Sequence, residues 1–477
     1  MRETTYLAID LGAESGRAIL GRLDGEALEM EEVHRFSNEP VTIHGTLSWD
    51  FPQLLRNVRE GIRRGSERAG GRLDGVAVDS WGVDFGLLDG DGRLLRNPVH
   101  YRDTGHVGVL DRVLERVPRE TIWSRTGVQL LEINTLFQLV ATGERDPELL
   151  TAAETLLPIA DLVAFFLGAR PCTEVTLAST SQLLDAHSHD WSDELIASLD
   201  LPRRIFPEIV PSGTVTGALR KSITSEAGLS PAPPIIAAAS HDTAAAVACM
   251  PGSERHGAAY LSSGTWSLLG VEVDAPVTGI SALEKGFTNE AGVAGKTRLL
   301  TNITGLWLVQ ECRRQWVDEG VELSYEELAR LARNAEPARF FVDPDDPRFA
   351  APGDMPSRIR EACAEAGGDV PESRVEILRV VFESLARRYA RGIEDVESLT
   401  GHRVERLHVM GGGSRNGLLN QLTADAVGLP VLAGPTEATA MGNILVQALA
   451  TGALRDLTDI RRVSSSSSEL ESFAPQR

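Results

Sequence analysis

Two segments far apart in this chain share one plan: an apolar run, a turn of small residues, and a second apolar run. The first is YLAIDLGAESGRAILGRL from Tyr6, and the second is AAYLSSGTWSLLGVEV from Ala258 to Val273. Each reads as strand, turn, strand. The elements after each hairpin repeat as well. The first is succeeded by an amphipathic helix from Phe51 to about Arg68, with Leu54, Leu55, Val58 and Ile62 on one face, and then by a buried strand, LDGVAVDSWGVDFGLLD. In the second half RVVFESLARRYARGIEDVESL reads as a helix, RVERLHVMGGGSRNG as a strand with a glycine turn, and LLNQLTADAVG as another helix. A chain that runs hairpin, helix and strand twice is expected to be a duplicated α/β domain with a cleft between the copies. The spacing predicts domains over 1–248 and 249–455, joined through the loop-like MPGSERHG, and a C-terminal tail over 456–477 carrying the serine run Ser464 to Ser468.

The charge balance narrows the function classes. With 68 acidic against 47 basic residues the net charge is -21, which excludes a surface built to bind nucleic acid backbone. A nucleotide is still compatible, because backbone dipoles and a divalent cation can hold phosphates. The four cysteines, Cys172, Cys249, Cys312 and Cys363, lack metal-ligand spacing and read as buried free thiols in a reducing compartment. The first residues enter a strand with no charged-then-apolar leader, and no apolar run has membrane-spanning length. The expectation is a cytoplasmic protein without membrane or nucleic acid partners, a monomer or homodimer acting on small molecules.

Three places could carry chemistry. In AIDLGAESGR, Gly12 permits a tight turn whose backbone N–H groups would form a nest for anionic oxygens. Asp10, ending the preceding strand, is placed to hold a hydrated divalent metal beside them. Taken alone, such a segment reads better as an ordinary hairpin with a glycine turn. In SHDTAAA, Asp242 sits at a strand-to-helix junction, where a carboxylate could take a proton from a substrate hydroxyl or simply cap the helix. In SSGTWS and GGGSRN, small residues and hydroxyls at turns suit contacts to outer phosphates and to a flat ring lying on bare backbone. His241 reads either as a satisfied core histidine or as a donor to substrate. Three other patterns do not carry weight. EAGVAGKT ends like a phosphate-binding loop, but Glu290 takes the first glycine position and the flanks are not strand-then-helix. GGGSRNG fails the dinucleotide pattern at Asn416, and His187 with His189 reads as a solvated loop.

Taken together, AIDLGAESGR, VDSWGVDFGLLD, SHDTA, YLSSGTWSLLG, NITGLWLVQ, GGGSRNGLLNQLTADA and GPTEATAMGN, in that order over about residues 5 to 450, resemble the FGGY family of carbohydrate kinases. The resemblance implies two duplicated actin/hexokinase-like (ribonuclease H-like) domains flanking a cleft. It implies transfer of phosphate from ATP, with Mg²⁺, to the 1-hydroxyl of L-rhamnulose. Asp242 matches the catalytic base. Ala13, Glu14, Ser15, Gly16 and Arg17 match a first phosphate loop and Thr265 a second, while Gln310 and Gly412 match nucleotide contacts. Gly82, His241, Thr243 and Asn302 match sugar contacts, and Asp10 the metal-side aspartate. Glu14 departs from the pattern by adding a negative charge beside phosphates, and Ser414 with Arg415 departs after the glycines. The alternatives are a kinase for another ketose, such as L-fuculose or L-xylulose, and an actin- or Hsp70-like assembly ATPase.

Overall fold

The computed structural model describes residues 3–251 and 257–476. Five residues of the expected connector, 252–256, lie outside them. The chain divides into two compact units. The first comprises Met1–Gly252, Glu272–Leu299 and Thr439–Ser467; the second comprises Ser253–Val271, Leu300–Ala438 and Ser468–Arg477.

The first unit is built on six strands: β1 (Thr4–Leu11), β2 (Ser15–Asp24), β3 (Ala27–Ser37), β4 (Gly75–Ser80), β5 (Thr214–Ala218) and β6 (Pro234–Ala237), in the order β5-β6-β4-β1-β2-β3. The hairpin β1–β2 is antiparallel, whereas β4 runs parallel to β1 and β6 parallel to β4. Residues 6–11 of β1 and all of β4 are buried, as strands covered on both faces should be. The helix Phe51–Arg68 covers one face. Its start is set by Asp50, whose side chain accepts from the N–H of Gln53 at 3.0 Å, and by a proline in the first turn. Its apolar stripe of Leu54, Val58 and Ile62 packs into the core with Leu7, Ile9 and Leu20.

The second unit repeats the plan. Strands β7 (Ala258–Ser263), β8 (Trp266–Val273), β9 (Thr297–Thr304), β10 (Arg406–Met410), β11 (Val431–Ala433) and β12 (Glu471–Phe473) lie in the order β9-β8-β7-β10-β11-β12, with the strand Phe287–Ala291 added at the edge beside β9. Again the hairpin is antiparallel, and the strands that come after a long helix, here Arg374–Thr400, add in parallel. The order β3-β2-β1-β4-β6 of the first unit is thus matched by β9-β8-β7-β10-β11.

Two expectations need correction. The apolar stretch from Leu73 to Asp89 is not one strand. It breaks between Ser80 and Phe85, and its second part, Phe85–Leu88, pairs antiparallel with Thr155–Pro158 in a separate two-stranded sheet. At the break Val83 has φ +70°, a left-handed conformation costly for a β-branched residue. The serine run is also no loose tail. Residues Leu457–Ser467 form a helix with Ile460, Val463 and Ser464 buried, and Arg461 pairs with Glu272. Glu471–Phe473 then adds an antiparallel strand beside β11. Serines at the end of an amphipathic helix look solvated in a composition count, but their small side chains also fit a packed interface.

Candidate functional site

Three aspartates meet at the carboxyl ends of adjacent parallel strands of the first unit. Asp10 and Asp79 stand opposite one another in the β1–β4 register, and Ser80 bridges to His241, just beyond β6. Asp242 follows at the start of the helix Asp242–Ala248. Carboxyl ends of parallel strands are where open α/β sheets hold ligands.

Asp242 is not the cap of that helix. The cap position belongs to His241, and Asp242 lies in the first turn. Its Oδ1 accepts from the N–H of Thr243 at 2.5 Å and from the Thr243 hydroxyl at 3.0 Å. Among the described residues nothing donates to Oδ2, and the side chain is 34% exposed. One oxygen is therefore anchored and the other is open. The backbone just before it is held by a buried acid: the N–H of Ser240 donates to Oε2 of Glu174 at 3.1 Å, and the N–H of His241 to the Thr176 hydroxyl at 3.1 Å. Burial pushes the Glu174 carboxyl up, against hydrogen bonds from Ser212, Thr176 and Ser240 that favour its anion.

Asp79 is fully buried. Its Oδ2 accepts from Nδ2 of Asn443 at 2.6 Å, and among the described residues its Oδ1 has no hydrogen-bond partner. Burial, then the charge of Asp10, raises its carboxyl well above the ordinary range; Asn443 and Arg17 oppose this, and the charge of Asp242 adds to it. Asp10 in turn pairs with the guanidinium of Arg17, its partner across the β1–β2 hairpin. The turn of that hairpin is closed by the N–H of Gly12 donating to Ser15 O at 2.9 Å. Asn38 ties it down, its N–H to Glu14 O at 3.0 Å and its Nδ2 to Gly12 O at 2.9 Å. The Glu14 side chain is exposed and Ala13 half-buried, while Gly16 is buried where a Cβ would lie 2.2 Å from the Phe36 ring.

Gly82 sits in the Trp81–Asp84 turn beside the strained Val83. The turn is fixed from several sides: the N–H of Val83 donates to the Thr180 hydroxyl at 3.2 Å, and its carbonyl accepts from Thr135 at 2.7 Å. The buried Asp84 accepts from the indole N–H groups of Trp49 at 2.7 Å and Trp81 at 3.0 Å and from Gln138 at 2.9 Å. Burial pushes its carboxyl up to about 6 even against those donors.

In the second unit, Thr265 occupies the β7–β8 turn, half-buried, next to an exposed Trp266. The loop after β9 is pinned to this turn: the N–H groups of Leu306 and Trp307 donate to Gly264 O at 3.0 Å and Thr265 O at 3.1 Å. Asn302 lies on β9 and Gln310 on the helix Trp307–Asp318, each half-buried. Of the three glycines after β10, Gly411 adopts φ +80° and Gly413 packs on Ser263, but Gly412 is exposed with open space where a Cβ would stand.

Sequence reasoning missed Asp79, Asn443, Glu290 and Arg298. An aspartate inside an apolar strand was the available signal for Asp79. Glu290 belongs to the discarded EAGVAGKT stretch, which folds as strand, short turn, strand, and its carboxylate pairs with Arg298 at 2.8 Å. His187 is exposed and His189 half-buried, and among the described residues no three His, Cys, Asp or Glu side chains form a ready ligand set. The four cysteines are buried and none of them forms a disulfide.

Two sheets of one strand order, each opening on a hairpin, define an α/β fold of the actin- and hexokinase-like class. Solved structures share it: a ligand-bound xylulose kinase from Lactobacillus acidophilus matches with a TM-score of 0.82 at 16% identity, covering 99% of this chain and 94% of that one. A xylulose kinase from Rhodospirillum rubrum matches at 0.80 and 20%, over 100% and 94%. The chain belongs to the FGGY family of carbohydrate kinases, whose N-terminal domain matches residues 5–249 and whose C-terminal domain matches residues 259–451. It is similar to a rhamnulokinase from Bacteroides thetaiotaomicron, 43% identical over 99% of this chain and 96% of the relative. A rhamnulokinase from Klebsiella pneumoniae is 40% identical over 98% and 94%. The chain is accordingly a phosphotransferase with an alcohol group as acceptor. Among the described residues no helix is long and apolar enough to cross a membrane.

Proposed function

We propose that this enzyme phosphorylates L-rhamnulose at O1 with ATP, giving L-rhamnulose 1-phosphate and ADP in the cytoplasm, as a step of L-rhamnose catabolism. The substrate rests on the two rhamnulokinase relatives, which match over nearly the whole chain. The chemistry rests on one observation, the anchored Oδ1 and open Oδ2 of Asp242. Oδ2 takes the proton from the sugar hydroxyl. The hydroxyl oxygen bonds to the γ-phosphorus as the bond to the β-phosphate oxygen breaks, and ADP leaves with that electron pair. A base in such a loose transition state mainly orients the hydroxyl, which is what a carboxylate locked by its neighbour's N–H and hydroxyl does.

Residues 1–248 are read as the sugar-binding domain with the base and 249–455 as the nucleotide-binding domain, with Asn302 and Ala13 to Arg17 as exceptions to that division. Gly82, His241, Thr243 and Asn302 contact the sugar; Ala13, Glu14, Ser15, Gly16, Arg17, Thr265, Gln310 and Gly412 serve the nucleotide. The exposure of Glu14 supports a side chain that does not crowd phosphate, and the open face of Gly412 supports a ring against backbone. A hydrated Mg²⁺ fits the hard oxygen donors at the strand ends, where Asp79 Oδ1 is a buried oxygen without a partner. Asp10 would hold its water shell, and the ion supplies charge neutralisation to the phosphates.

The test is Asp242→Asn, assayed by ADP release with L-rhamnulose, L-fuculose and L-xylulose. The expected result is a loss of about 10²-fold or more in kcat with both KM values kept. Wild-type turnover in this variant overturns the assignment of the base. A preference for another ketose overturns the substrate but not the chemistry.

A further inference from the structure

Arg298 is an arginine with no exposed side-chain surface, close to a site whose base is a carboxylate. Its Nη2 donates to Oε2 of Glu290 at 2.8 Å and lies 3.0 Å from Nδ1 of His241; its Nε donates to Ala291 O at 3.2 Å. Oε2 of Glu290 is 3.3 Å from the same Nδ1. Across the ring, Nε2 of His241 is 3.4 Å from Oδ1 of Asp242. Around its backbone stand Thr176, which takes the His241 N–H, Glu174, which takes that of Ser240, and Ser80, which bridges to it beside Asp79.

A guanidinium has only donors and keeps its charge. Arg298 Nη2, at 3.0 Å, is nearer to Nδ1 than the Glu290 carboxylate at 3.3 Å, and toward the guanidinium Nδ1 acts as acceptor, which sets the proton of a singly protonated ring on Nε2, facing Asp242. The other tautomer would give Glu290 a donor at 3.3 Å, but it would set that N–H against the nearer N–H of Arg298 at 3.0 Å and a ring lone pair against the Asp242 carboxylate. Arg298 itself is kept in place by Glu290, whose carboxyl is held down at about 2: burial pushes it up, and the charge of the adjacent Arg298 is the largest influence pulling it down.

We infer that Arg298 is a positioning residue that acts through His241, fixing the imidazole as the Nε2–H tautomer so that it steadies Oδ1 of Asp242 and leaves Oδ2 as the oxygen that receives the proton. The inference rests on Asp242 being the base. It gives the buried Arg298–Glu290 pair a role in catalysis beyond stability. It also gives His241 a task that does not depend on touching the sugar.

The decisive measurement is nitrogen-15 NMR of the imidazole of His241 in the full-length enzyme, assigned by its loss in His241→Gln. A proton on Nε2 alone is expected; a proton on Nδ1, or on both nitrogens, overturns the inference. The kinetic arm uses Arg298→Met alone and Arg298→Met with Glu290→Gln, which removes both buried charges together. In the single variant Glu290 draws a second proton onto His241, so kcat acquires a pH dependence across the range where histidines titrate. In the double variant that dependence disappears, while kcat stays about tenfold or more below wild type and KM for ATP is unchanged. Identical pH profiles for wild type and the single variant overturn the inference. Should either variant fail to fold, the spectrum of the wild-type enzyme decides. If Asp242→Asn retains turnover but the proton is on Nε2, the base assignment has failed and the tautomer has not.

Discussion

The side-chain amide of Asn443 lies 2.6 Å from Oδ2 of Asp79, although 364 positions separate the two residues. Asn443 accepts in turn from Nε2 of Gln447 at 2.7 Å, and Gln447 also donates to the carbonyl of Leu7 at 3.1 Å. One face of the helix Ala438–Ala450 thereby fastens β4 at Asp79 and β1 at Leu7, within the strand that ends beside Asp10. The approach is close: a Cβ on Gly75 would lie 2.8 Å from Oε1 of Gln447, and one on Gly442 would lie 1.8 Å from the carbonyl oxygen of Ala245.

Asn443→Ala removes the single donor, among the described residues, to a carboxyl that is entirely buried. Leaving such a group without a partner costs about 1–3 kcal/mol, with the small cavity adding to it. The expected outcome is a drop in unfolding free energy of about 2–4 kcal/mol, read from urea denaturation at fixed pH.

Glu290 gives the enzyme an acid-sensitive element. Its carboxyl is held at about 2 in the folded protein against an ordinary value of 4.5. A depressed folded value means stability that is complete above about pH 4.5 and is lost as pH falls from there towards 2. The difference corresponds to about 3 kcal/mol. Wild type should therefore exceed Glu290→Gln by roughly that amount at pH 6, with the gap closing as pH falls through this window. A gap that stays constant with pH would show that the ion pair does not set the acid limb.

Much of this architecture is legible in the sequence because it is local. The two hairpins are apolar run, small turn and apolar run, and the helix from Phe51 shows its stripe at Leu54, Val58 and Ile62. Asp10 and Asp242 are legible because each stands at the end of an apolar strand. Glu290, Arg298 and Asn443 are not, because their meaning lies in partners brought together by the sheet and by a helix from the far end of the chain. The break at Val83 is hidden for another reason: an unbroken apolar string carries no mark of a left-handed valine. The serine run misleads because serine is scored by polarity, whereas Ser464 is buried on the same helix face as Ile460 and Val463.

The Val83 turn is over-determined by its neighbours, and strain of this kind persists only where they enforce it. Thr135→Val removes the hydroxyl that donates to the Val83 carbonyl at 2.7 Å and leaves only Gln138, at 3.4 Å. If the adjacent Gly82 serves the sugar as proposed, the variant should show a several-fold higher KM for the ketose and an unchanged KM for ATP, with a stability loss of about 1 kcal/mol. Steady-state kinetics with each substrate varied in turn separates these. A change confined to ATP would remove Gly82 from the sugar site.

The two glycines after Gly411 should respond oppositely to a methyl group. At Gly413 a Cβ would lie 2.0 Å from Oγ and 2.6 Å from Cβ of Ser263, so the loop or β7 must shift. Gly413→Ala should lose about 1–3 kcal/mol of stability, as overpacked positions do. At Gly412 a Cβ meets nothing within 4 Å and the backbone is not left-handed, so Gly412→Ala should unfold within about 0.5 kcal/mol of wild type. If that open face receives the adenine ring, the same substitution raises KM for ATP about tenfold and leaves KM for the sugar alone. Thermal unfolding and ATP titration of the two variants, side by side, distinguish a glycine kept for packing from one kept for ligand. Equal ATP affinity in Gly412→Ala and wild type would place the ring elsewhere.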